Sequence, residues 1–133
     1  MSKRLTPYRQ VAEDLQAAYD WLDSPEKHCT NGYFGTSNGG DDWHMETDVL
    51  IQRAEQGSVK CACLYGALCI VTKNPNIPTM TRHQQLIEDY ATSKYNLEAT
   101  IVNDKKGYEA ARDILAGARR LALRMGRVKH NVG

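Results

Sequence analysis

Apolar side chains are spread unevenly along this chain, and only one stretch of any length is apolar at nearly every position, Lys60 excepted. It is Val59–Val71, VKCACLYGALCIV, which carries three of the four cysteines (Cys61, Cys63, Cys69) and has the small residues Gly66 and Ala67 near its middle. An element apolar on every face is buried on every face, so the remaining segments are expected to pack around this one. The pattern predicts an extended lead-in over Val59–Ala62 and a helix from Cys63 to about Val71, with Ser58 as a cap candidate if the helix begins nearer Cys61.

Either side of it the pattern is amphipathic. Val11, Leu15, Ala18, Tyr19 and Leu22 recur at spacings of three and four, which predicts a helix over about Pro7–Leu22. Thr6 is its expected cap and Pro7 its first residue, where a missing N–H costs nothing. Thr81 to about Tyr95 reads as a further helix burying Leu86, Ile87, Tyr90 and Ala91. Ile101-Val102 reads as a buried connector, with Asn103-Asp104 capping the final helix. That helix, about Tyr108–Met125, places Ala111, Ile114, Leu115, Ala118, Leu121, Ala122 and Met125 on one face, with Gly126 at its end. Residues 127–133 read as a loose basic tail.

Between the first helix and the apolar run, residues 28–44 are rich in glycine, which predicts turns. Tyr33-Phe34 suggests a short strand and Asn38-Gly39 a tight turn, with a returning strand near Asp48–Arg53. The expected fold class is therefore α+β: a mainly helical single domain, 1–126, with about four helices around a buried central helix and a small β-hairpin insertion.

Composition adds two points. No run approaches the roughly 18 apolar residues of a membrane span, and MSKRLTPYRQ lacks a secretory apolar core. A cytoplasmic location with reduced cysteines is therefore expected (the host cytoplasm, if the chain is phage-encoded). The net charge of +1 hides an asymmetry, because residues 105–133 hold eight Lys/Arg against two Asp/Glu. A basic end of this kind either attracts an anionic partner or complements a helix dipole.

Candidate chemistry is sparse. Cys61, Cys63, Cys69 and Cys29, with His28 and His44, lack the two matched ligand pairs of a structural zinc site, so buried thiols are expected and no metal or cofactor. Cys63 at a helix start would gain thiolate character from the dipole, and His28, His44 and His83 are the candidate bases for it. The stretch GYFGTSNGG is not a phosphate loop, and Asp41, Asp42, Glu46 and Asp48 do not have calcium-loop spacing. Arg120, Arg124 and Arg127 fall on one side of the last helix.

Gly32-Tyr33, then Cys63-Leu64-Tyr65-Gly66-Ala67-Leu68, then Val102-Asn103-Asp104 ahead of an Ala-rich helix occur in this order along the chain. In this the chain resembles an uncharacterised family of small bacteriophage and actinobacterial proteins with a C-x-x-G-A-L block and a later Trp-Asn-Asp. It departs from that pattern at Val102, which stands where the family has Trp, and in a longer segment before Cys63. The resemblance implies a phage-type origin and no particular activity.

The expected function is that of a non-enzymatic phage-type accessory protein that binds a host protein or a small anionic ligand. Tyr33, Phe34, Trp43, Arg120, Arg124 and Arg127 are its contact residues. Two alternatives belong to other classes: a thiol enzyme using Cys63 with His44, and a nucleic-acid-binding protein using the basic last helix.

Overall fold

The computed structural model describes residues 6–29, 34–35, 61–74 and 80–132. In chain order these form α1 (Tyr8–Trp21), a 3-10 turn (Pro25–Lys27), β1 (Phe34–Gly35), β2 (Cys61–Ala62), α2 (Leu64–Thr72), α3 (Thr81–Tyr95), α4 (Ala99–Lys106) and α5 (Tyr108–Val132). The domain is mainly helical, and its described helices share one core.

α2 is the buried centre that the apolar run predicts. Every residue from Cys61 to Cys69 is buried. Lys73 ends the helix in the left-handed region, where Lys73 N–H donates to Ile70 O and Asn74 N–H to Cys69 O. This pairing satisfies carbonyls that a helix end otherwise leaves open. α1 packs on one side of α2 and runs antiparallel along α5. The direction is fixed by contacts at both ends: Tyr8 lies against Gly126, while the Tyr108 hydroxyl donates to Leu22 O (2.9 Å). Near that second end Arg112 stacks on the Tyr19 ring (3.7 Å to its centroid) and donates to Tyr19 O, so two α5 side chains close the α1 C-terminus.

Several expectations need correction. α1 starts at Tyr8, with Pro7 at the cap position and no capping bond from a side chain. The connector expected around Ile101-Val102 is a helix, α4, so five helices are present among the described residues and Asn103-Asp104 lies inside one of them. Gly107, at φ +90°, breaks α4 from α5 in a conformation that other residues rarely adopt. Tyr90 is only half-buried. α5 does not stop at Gly126 but continues to Val132, and Met125 on its inward phase is 42% exposed, because the antiparallel α1 begins at this level and no described element precedes it there.

The strands pair differently from a local hairpin. β1 is antiparallel to β2, with Phe34 opposite Ala62 and Gly35 opposite Cys61. His28 adds a parallel bridge to Ala62 on the same segment. The returning strand expected near Asp48–Arg53 lies outside the described residues.

Candidate functional site

The N-terminus of α2 is where the sequence's candidate chemistry converges. Cys63 occupies the cap position, and its Sγ accepts a hydrogen bond from Gly66 N–H (3.3 Å). Asn103, arriving from α4 and 1% exposed, meets the same helix end: its Oδ1 accepts from Leu64 N–H (3.1 Å). The amide's other bonds set its orientation. Nδ2 donates to Cys29 O (3.2 Å) and to Asp104 Oδ1 (3.0 Å), so Oδ1 is left as the acceptor for His28 Nε2–H (2.8 Å). Asn103 thus joins the 28–29 segment, α2 and α4 through four hydrogen bonds. The C-x-x-G and Asn-Asp blocks, which are distant in sequence, meet at this point.

Burial at this junction disfavours the thiolate form of its cysteines. Burial pushes the Cys63 thiol up to about 12, against the opposing pull of the Gly66 and Tyr65 N–H groups. Burial also pushes Cys69 up to about 12. Cys29 is raised by its hydrogen bond with Cys61 and by burial. The helix dipole expected to favour a Cys63 thiolate is outweighed by desolvation. Burial lowers His28 below its usual value, opposed by the Asn103 hydrogen bond and the Asp104 carboxylate.

Two of the histidines weighed as a base are committed elsewhere. His28 gives its Nε2–H to Asn103, while His83, buried on α3, pairs with Asp14 of α1 (2.8 Å). His44, Tyr33 and Trp43 lie outside the described residues, as do Asp41, Asp42, Glu46 and Asp48; Phe34 is described only as strand backbone. Among the described residues no group of three His, Cys, Asp or Glu side chains is arranged to hold a metal ion. No described helix is long and apolar enough to cross a membrane.

A second polar cluster, which sequence reading missed, ties α3 to α5. Asp113 accepts from Lys94 Nζ (2.8 Å), Tyr95 Oη (2.8 Å) and Tyr90 Oη (3.2 Å). Burial acts to raise Asp113, but these three donors outweigh it and hold the carboxyl below its ordinary value. Tyr90 reaches Asp113 with its ring against Gly117, where a Cβ would overlap it. A third tie is Glu88, which accepts from Tyr65 Oη (2.5 Å) and from Ala99 N–H (2.9 Å), capping α4 from a neighbouring helix.

The arginines divide by environment. Arg120 leans on Tyr90 and donates to its hydroxyl (3.4 Å), which couples it to the Asp113 cluster. Arg124 and Arg127 are exposed and, among the described residues, have no ion pair or side-chain hydrogen bond. All three keep the spacing of four and three that puts them on the side of α5 away from the core. No protein-family profile, curated protein or solved structure matches this chain.

Proposed function

We propose that the chain is a binding protein that acts by surface contact with a host protein and carries out no covalent step of its own. The observation that carries this reading is Cys63. The residue with the most nucleophilic promise in the sequence is a helix cap, 6% exposed, with its thiol pushed up to about 12. Arg124 and Arg127, by contrast, face solvent on the last helix. Exposed guanidinium groups suit a carboxylate-bearing surface, because each presents a rigid fork of donors. The setting, a phage-type protein acting on a host component, comes from the family resemblance and is analogy. A small anionic ligand would be held by the same arginines.

The test is affinity capture from a bacterial host lysate at moderate salt, with and without nuclease. Wild type and Cys63→Ser are expected to capture the same proteins, and Arg124→Glu with Arg127→Glu is expected to lose them. Loss of capture on Cys63→Ser with an intact fold, or an unchanged set on the arginine variant, would contradict the reading. The alternative partner, nucleic acid, is favoured by the line of Arg120, Arg124 and Arg127 on one exposed side. It would announce itself as capture abolished by nuclease and falling steeply with salt.

A further inference from the structure

α1 and α5 leave between them an open groove of about 530 Å³. Its floor is small and apolar, made by Ala12 and Ala17 of α1 and Leu123 of α5, the last 37% exposed. The α1 wall bears Glu13 and Asp20, with Arg9 at one rim, and the α5 wall bears Arg119. Among the described residues Glu13 and Arg119 form no ion pair, although they line the same groove.

The antiparallel contacts fix which residues share a level. Tyr8 lies against Gly126, Tyr19 against Arg112 and Leu22 against Tyr108. Interpolating between them sets Glu13 level with Arg119, and Arg9 level with Arg124 and Met125. A two-fold axis running parallel to the helices above the groove would preserve these levels. It would lay α1 of one copy over α5 of the other. Glu13 then faces Arg119 of the second copy, twice by symmetry, and Leu123 enters the floor beside Ala12. Arg9 is then level with Arg124 of the second copy, which does not line the groove.

From this self-complementarity we propose that the α1–α5 groove is the contact face of a symmetric homodimer, held by two Glu13–Arg119 pairs around a Leu123 centre. An isologous interface needs one patch that complements itself under rotation, and walls of opposite sign at one level meet that requirement. The dimer leaves Arg124 and Arg127 outside the contact, so it is independent of the partner binding proposed above. It would present two copies of that arginine face and raise avidity for a partner with repeated sites.

Sedimentation velocity across about 5–500 µM chain decides the matter. Wild type is expected to dimerise within that range, more weakly as salt rises, because exposed ion pairs are screened. Glu13→Arg and Arg119→Glu, each at an exposed or half-exposed position, are expected to weaken the dimer at least about tenfold, since each reversal replaces two attractions with two repulsions. The double variant Glu13→Arg with Arg119→Glu restores the opposition in reverse and is expected to recover dimerisation. Circular dichroism checks that each variant is folded. A wild type that stays monomeric throughout, or a dimer indifferent to both single reversals, would overturn the proposal.

Discussion

Asn103→Ala is expected to lower stability by about 3–5 kcal/mol, read as a lower urea midpoint at an unchanged slope. The amide has four partners, and removing it strands the Leu64 N–H and the His28 Nε2–H in or near the core and takes a donor from the Cys29 carbonyl. Each buried group left without a partner costs about 1–3 kcal/mol, and alanine leaves a small void as well. The apparent melting temperature should fall by roughly 10–20 °C for a chain of this size. Asn103→Asp keeps the acceptor but turns the donor edge into a second carboxylate oxygen facing Cys29 O and Asp104. It too should be strongly destabilised at neutral pH, with part of the loss recovered under acid conditions that restore a donor. A change below about 1 kcal/mol for Asn103→Ala would mean that the junction is not held by this amide.

Gly117→Leu is expected to cost about 2–3 kcal/mol, although leucine is the better helix former by nearly 1 kcal/mol. The intrinsic preference and the packing pull in opposite directions here, and packing should win. A side chain at 117 must displace the Tyr90 ring, and with it the bond from Tyr90 to Asp113. Gly117→Leu combined with Tyr90→Ala should recover part of the loss, because the smaller residue vacates the contested space. If Gly117→Leu is neutral or stabilising in thermal and urea unfolding, Tyr90 is not seated on α5 in the way described.

How much of the fold is legible in the sequence depends on the strength of local periodicity. The stripes of α1 and α5 and the all-apolar α2 can be read because burial repeats there over several turns. α4 escapes because it has only eight residues, and its inward face is Ala99, Val102 and Asn103. A polar side chain at a buried position looks like a turn when the groups it satisfies are 39 to 75 residues away. The pairing of β1 with β2 is likewise non-local, and a glycine-rich segment suggests a local hairpin first. At the far end, the inward phase of Met125 is readable but its exposure is not, since that depends on where the antiparallel α1 begins. Gly117 carries no sequence signal as the seat of Tyr90, because a helical glycine is read as a weak point before it is read as a contact. The Cys63 cap is half visible: its place at a helix start is expected, whereas its enclosure depends on Asn103 and the 28–29 segment arriving from elsewhere.

The most direct measurement is the rate at which Cys63 is alkylated in the native protein, followed by mass spectrometry of its peptide from about pH 6 to 9. If the thiol is an enclosed helix cap, modification is negligible across that range, and all four cysteines react once denaturant opens the fold. Rapid labelling of Cys63 in the folded protein, rising through a midpoint below about pH 8, would contradict this. It would make the α2 terminus a reactive site.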